Sequence, residues 1–458
     1  ISSQTRKPTV KINDGTLQGL RVADVEVFKG IPYAAPPIGT LRWRAPQPIN
    51  KPWKGVRQAT EFGHDCVQMP IPGDVAPTRS TKGEDCLVVK VWRPATVRPG
   101  DKLPVMVWIH GGGFLNGGSS DAIADGSAFA HEGLVVVSLN YRLGRMGFFA
   151  HPSLTAAKEG PLANYGLMDQ LAALRWVRRN IAAFGGDPDQ VTIVGESAGG
   201  ISVIHLLTWP EARGLFQRAA VLSGGGRTLM PEVRSLSTTS GQLSSAEETG
   251  VEFAKTVGIT TNGIEALKAL RALPAARVNG DMSMMALITK PKTYTGGPVL
   301  DGQIVTALPE EIFRRGRATK VPLLIGTTSQ DLPALFPPDR ANPLSYFGAD
   351  AERAKAVYDP SGNLPLPALL ATVSVDMTMH EPARFVAKQM TARGNSVWLY
   401  RFGYIAESLR PKATGAEHAS ELPYMFDTLD TRYGKEATEK DRATAHAFHL
   451  YFANFAKT

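Results

Sequence analysis

Two glycine-rich turns and a downstream histidine could do chemistry together. VTIVGESAGGISV, residues 191–203, is a β-branched run that stops at Ser197, with Gly195 and Gly199 two places on either side. A strand that enters a helix through G-x-S-x-G must turn sharply. The missing Cβ atoms let strand and helix pack closely, and the serine hydroxyl is pushed outward on a strained backbone. The helix start beneath it offers free N–H groups. A plain Gly/Ser helix entry fits the same five residues, so the apolar strand before and the helix after carry the reading. VMVWIHGGGF, residues 105–114, ends a second apolar run in three glycines. The N–H groups of Gly112, Gly113 and Ala198 would hold the oxyanion that forms when a carbonyl is attacked.

A serine hydroxyl needs a base at neutral pH. On this strand–turn–helix arrangement, serine comes first in the chain, then an acid, then histidine. The downstream histidines are His205, His380, His418, His446 and His449. His205 falls on the helix after the turn, and His446 and His449 sit three apart in a terminal helical segment, where packing or a surface role is the simpler reading. His418 lies in GAEHASELPYMF, a loop-like stretch suited to a mobile base, with His380 as the second candidate. The acid should follow a later strand. VPLLIGTTSQD offers Asp331; Asp301 and Asp376 are the alternatives.

The elements that must hold these groups are legible from hydrophobic patterning. VKI and NDG, residues 10–15, predict a hairpin. The Pro/Gly-rich stretch 30–48 predicts loops. LPVMVWI (103–109) and LVVVSLN (134–140) are continuous apolar runs, as expected of strands covered on both faces. Residues 164–183 carry apolar side chains at helical spacing, with Asn164 or Asp169 helping the first turn and FGGD ending it. RAAVLSG (218–224), VPLLIGT (321–327) and SVWLYRF (396–402) continue the strands. This alternation predicts an α/β fold: a mostly parallel sheet with helices on both faces. The whole chain, 1–458, reads as one such domain. Segments around 225–300 and 333–380 break the rhythm and are expected to be insertions forming a cap over the site.

Bulk properties narrow the function classes. The 458 residues carry a formal net charge of +8. The basic residues are scattered, with RRGR at 314–317 the densest group, and no basic stripe is interleaved with aromatics, which argues against nucleic-acid binding. No window reaches the roughly 18 uninterrupted apolar residues of a membrane span. No Cys/His cluster suggests a metal, and acyl transfer of this kind needs no cofactor. The chain begins at Ile1, with no leader left to read. Cys66 and Cys86 are the two cysteines; a bridge between them would place the protein in an oxidising compartment. No N-x-[ST] sequon occurs, which leans toward a periplasmic or secreted bacterial protein.

Assembled, these residues make the chain resemble the type-B carboxylesterases, the family that includes the cholinesterases, on the α/β-hydrolase fold. The resemblance rests on FKGIPYAAPPIGTLRWRAP (28–46), EDCLVVKVWRP (84–94), HGGGF, NYRLGRMGF (140–148), the run from Asn164 to Gly200, and HASELPYMF. It implies Ser197 as nucleophile, His418 as base, and Gly112, Gly113 and Ala198 as oxyanion donors. It also implies a Cys66–Cys86 disulfide, and supporting carboxylates at Glu196 and Glu421 that bind water and tune electrostatics. Two departures stand out. The family usually reads IGTNSDEG with glutamate as the acid, whereas IGTTSQDL puts the shorter Asp331 there. The chain stops at YFANFAKT, where relatives usually continue.

The implied activity is hydrolysis of a small-molecule carboxylic ester through an acyl-enzyme. An amidase or thioesterase would use the same groups, and some relatives are adhesion or binding modules without the serine. Arg227, just after LSGGG, together with the positive charge, raises the expectation of substrate carboxylates, such as the polycarboxylate arms of fumonisins that some bacterial members cleave.

Overall fold

A computed structural model describes residues 7–227, 233–332 and 341–458. Residues 228–232 and 333–340, within the two expected insertions, lie outside the described residues. Nine strands form the central sheet: β1 (Leu20–Val22), β2 (Val25–Pro32), β3 (Val88–Pro94), β4 (Leu103–Ile109), β5 (Val135–Leu139), β6 (Gly186–Glu196), β7 (Arg218–Leu222), β8 (Leu323–Thr328) and β9 (Val397–Phe402). Their spatial order is β9-β8-β7-β6-β4-β5-β3-β2-β1. The first three are antiparallel to their neighbours, and β4 to β9 run parallel. The apolar runs become the central strands because both faces are covered. All five residues of β5 and all six of β8 are buried. Each large apolar side chain removed from water there contributes about 1.5–3 kcal/mol.

The sheet reverses its order between β4 and β6. Chain progression runs one way from β4 to β5 and the other way from β6 to β9. At such a reversal the connections leave on opposite faces and open a crevice beyond the carboxyl ends of the strands. The HGGG turn follows β4 and Ser197 follows β6, so both reach that crevice. The predicted hairpin forms between Thr9–Ile12 and Gly15–Gln18. The loop expected from residue 30 begins later, because β2 runs on to Pro32.

The 164–183 pattern forms α1 (Tyr165–Asn180) and a 3-10 turn, Ile181–Phe184, ended by Gly185 at φ 85°. Neither Asn164 nor Asp169 caps it. Asn164 instead ties the insertion to the body, donating to the Val299 carbonyl at 2.7 Å and accepting from the Val299 N–H at 2.8 Å. Asp169 is fully buried and takes a two-pronged bond from Arg142, at 2.8 Å to each oxygen. The terminal segment is α2 (Glu439–Lys457), started by a capping box between Thr438 and Asp441. Strand β9 closes one side of the sheet. Among the described residues nothing pairs with its outer edge, and Trp398 and Leu399 on it are half exposed. No helix among the described residues is long and apolar enough to cross a membrane.

Cys66 and Cys86 are joined, both buried, closing a loop with a sequence separation of 20. Replacing both by serine is expected to lower unfolding free energy by about 3 kcal/mol, the chain-entropy value for a loop of this length. A lower urea midpoint would register it, with a slope that rises as the unfolded chain loses its cross-link.

Candidate active site

The turn after β6 has the geometry its glycines allow. Ser197 takes φ 55° and ψ −121°, a region costly for a residue with a side chain. Its N–H donates to the Leu222 carbonyl at 2.9 Å, and its carbonyl accepts from Ile201 at 2.8 Å, so both sides of the strained residue are tied. A Cβ at Gly199 would drive into the Ile109 carbonyl at the end of β4. That contact sets how closely the helix Ala198–Thr208 approaches the sheet. The result is a serine hydroxyl standing above the strand ends with a helix N-terminus beside it.

The HGGG turn folds back on itself. The Gly112 carbonyl accepts the N–H groups of Leu115 and Asn116 at 3.0 and 3.1 Å, and Gly112 sits at φ 104°, which a side chain would resist. Tyr141 braces the turn by donating to the His110 carbonyl at 2.8 Å. Among the described residues the N–H groups of Gly112 and Gly113 have no protein acceptor. As the first residue of its helix, Ala198 has no intrahelical partner for its own N–H.

The structure brings His418 to Ser197 and Asp331. The imidazole Nε2 lies 2.8 Å from Ser197 Oγ, and Nδ1 forms a short hydrogen bond with Asp331 Oδ1. Asp331 is completely buried, and its other oxygen accepts from Ser223 Oγ at 2.5 Å and from the Thr328 N–H at 3.1 Å. Burial opposes ionisation of Asp331, but His418 and these hydrogen bonds outweigh it and hold the carboxyl below its usual range. Ser223 escaped the sequence reading. Its signal is the LSGGG stretch, a hydroxyl residue directly after the buried strand β7.

Two more carboxyls face the ring. Glu196 Oε1 is 3.3 Å from His418 Nε2. Glu421 is fully buried, and among the described residues neither of its oxygens has a hydrogen-bond partner. Burial, helped by the neighbouring carboxylates, pushes Glu421 well above its ordinary value, so it is the protonated member of the cluster. Burial also raises Glu196, to about 7. Burial works against charging His418, but Glu196 and Asp331 prevail and push it up to about 10.

The other histidines are elsewhere. His205 is buried in the helix after the serine, and burial pushes it down to about 4. His449 is buried on α2, its Nδ1 2.8 Å from the Met425 carbonyl, and His446 is on the exposed side of that helix. His380 pairs with Asp376 and does not reach Ser197. Asp301 accepts local N–H groups of Ile304 and Val305.

A cavity of about 320 Å³ opens on Ser197. Gly111–Gly113, Trp108 and His418 line it, Met284 comes from the 225–300 segment, and Ile71 and Gly73–Ala76 from the disulfide-closed loop. Arg227 is not in its wall, which corrects the expectation that it binds substrate there. Its guanidinium pairs with Glu310 at 3.1 Å and with Glu381, and stacks over Phe385 with 4.7 Å to the ring centre. Two carboxylates neutralise it, beside a separate cavity of about 480 Å³. The described part of the 333–380 segment lines that second cavity and not the first. Among the described residues no group of three or more His, Cys, Asp or Glu could hold a metal ion.

Residues 6–353 and 366–458 match the Carboxylesterase family. The chain is 36% identical to para-nitrobenzyl esterase of Bacillus subtilis, with 97% of this chain and 88% of that protein aligned. It is 35% identical to fumonisin B1 esterase of Sphingopyxis macrogoltabida, over 94% of this chain and 77% of the other. Mouse carboxylesterase 1D is 32% identical over 94% and 81%. A solved structure of PNB esterase superposes with a TM-score of 0.82 at 35% identity, covering 99% of this chain and 91% of that one.

The charge cluster gives a pH expectation. Covalent capture of Ser197 by an organophosphate requires His418 unprotonated, so its rate should rise with pH, with a midpoint above the ordinary histidine value of about 6.5. Glu196→Gln removes a negative charge from the ring, which lowers the His418 pKa and moves the midpoint to lower pH. A midpoint that stays put in Glu196→Gln contradicts the role given to that carboxylate.

Proposed function

This chain belongs to the carboxylesterase family and is a carboxylic ester hydrolase, and we propose that it cleaves its ester through Ser197, His418 and Asp331. The observation that carries this is the pair of contacts on one imidazole, 2.8 Å to the serine hydroxyl and a short bond to a buried aspartate. His418 takes the Ser197 proton as Oγ attacks the ester carbonyl. The oxyanion rests on the N–H groups of Gly112, Gly113 and Ala198; losing one such donor typically costs about 3 kcal/mol. His418 then protonates the departing alcohol. Water repeats the steps in reverse on the acyl-enzyme. Asp331 holds the proton on Nδ1 and stabilises the imidazolium. Glu196 and Glu421 support the ring electrostatically. The shorter aspartate serves because Ser223 and Thr328 hold its second oxygen, leaving Oδ1 aimed at the ring.

The cavity wall favours esters without negative charge. Asp74, Asp121 and Glu196 line it, and no lysine or arginine does among the described residues. A second reading, a preference for polycarboxylate esters such as fumonisin side chains, is supported by the similarity to fumonisin B1 esterase and by the net charge of +8. The Cys66–Cys86 bridge supports a secreted or periplasmic working site.

Ser197→Ala should abolish both organophosphate labelling and ester hydrolysis; labelling that survives the substitution would sink the assignment. A panel of esters matched in size, with neutral and polycarboxylate acyl groups, separates the two substrate readings. Faster turnover of the neutral members, with little effect of salt, is expected. Paired ester and amide substrates test the amidase alternative, and only the ester should turn over appreciably.

A further inference from the structure

The loop that carries Asp331 is pinned from a side that the triad does not use. Thr328, the fully buried last residue of β8, donates its N–H to Asp331 Oδ2. Its carbonyl lies 2.9 Å from Nε2 of His380. The other ring nitrogen, Nδ1, lies 2.9 Å from Asp376 Oδ1, and Asp376 Oδ2 accepts the Tyr358 hydroxyl at 2.6 Å. A carbonyl and a carboxylate can only accept. His380 therefore bridges Asp376 and the end of β8 through its two ring nitrogens. The Tyr358 hydroxyl and the nearby Arg401 are the other polar groups facing Asp376.

The local fold builds this bridge. Asp376–His380 form a π-helical turn between the helices Leu366–Val375 and Glu381–Ala392. Pro382 has no N–H to offer the preceding turn, and Asp376 and His380, four residues apart, share one face of the coil. From Thr328 the chain continues into contacts that reach the base. Ser329 donates to the Phe402 carbonyl at 2.8 Å, and Gln330 donates to the Ala416 carbonyl at 2.8 Å, two residues before His418.

We propose that His380 and Asp376 are positioning residues for the triad acid: by holding the Thr328 carbonyl they fix the end of β8, and with it the direction in which Asp331 presents Oδ1 to His418. This rests on the triad reading above. Neither residue touches the reacting atoms. Their effect passes through one peptide group and one N–H.

The test compares His380→Ala, His380→Gln and Asp376→Asn with the wild-type chain on one neutral ester. Turnover is normalised to the sites titrated by an organophosphate, so that poorly folded protein does not count. In His380→Ala, kcat per titrated site should fall between about 10- and 100-fold, the scale of an ångström-sized misplacement. KM should stay within about twofold, because ground-state binding is untouched. The acid limb of the pH profile should also move to lower pH, since a displaced Asp331 raises His418 less and leaves Glu196 to hold it up; a merely structural role would not move it. Glutamine at 380 can still donate to Thr328 and should recover most of kcat, and Asp376→Asn should show a smaller loss with the same direction of limb shift. Wild-type kcat per site and an unmoved limb in His380→Ala, or in Asp376→Asn should the alanine variant not fold, overturn the positioning role while leaving the triad standing. Absence of labelling in the wild type would remove the triad itself.

Discussion

One imidazole has to satisfy two partners that come from opposite directions. His418 must keep Nε2 against a hydroxyl on a strained turn and Nδ1 against a carboxylate with no exposure to water. The three residues follow β6, β8 and β9, and the sheet holds those strands at fixed spacing. The parallel order places their carboxyl ends on one side, so loops that are remote in sequence converge there. Sheet register therefore sets the distance between the hydroxyl and the imidazole, the span of the proposed proton transfer. The glycines at 195 and 199 matter for the same reason: they let the helix seat against β4 without shifting the strand that carries the serine.

The site confines several acids around one base. Asp331, Glu196 and Glu421 are all buried beside His418. Such a cluster cannot hold all its charges without water. The structure resolves this unevenly. Asp331 has a donor for each oxygen and stays ionised, whereas Glu421 has none among the described residues and stays protonated. Glu196 lies between, next to the ring nitrogen that accepts and then donates a proton in the proposed mechanism. The negative surroundings stabilise the imidazolium that forms during attack, and they also make the resting ring easier to protonate. Catalytic power and pH range are thus set against each other by the same carboxylates.

Much of this was legible in the sequence because it lies in short, local patterns. The serine turn, the glycine run and Asp331 each lie within a few residues of the end of a buried strand, and His418 sits in a short local motif, HASELPYMF. The strands themselves stood out as unbroken apolar runs. What could not be read depends on partners distant along the chain. Arg227 looked available, yet Glu381, which quenches it, lies 154 positions further on. Asp169 looked like a helix-start residue, but Arg142 claims it in the interior. Ser223 and His380 act through hydrogen-bond direction at strand ends, which periodicity and composition do not register. The insertions were located by their broken rhythm, but which of them reaches the cavity was decided by packing alone.

The loop closed by Cys66 and Cys86 does more than tether the chain. Ile71 and Gly73–Ala76 within it form part of the cavity wall, while the serine, histidine and aspartate are all anchored to the sheet outside it. The loop also braces the end of the glycine turn: Gln68 Nε2 donates to the Gly117 carbonyl at 2.8 Å, and its Oε1 accepts the Gly117 N–H at 2.9 Å. Opening the bridge would therefore loosen both a cavity wall and a brace on the glycine turn, while the strands that carry Ser197, Asp331 and His418 kept their register.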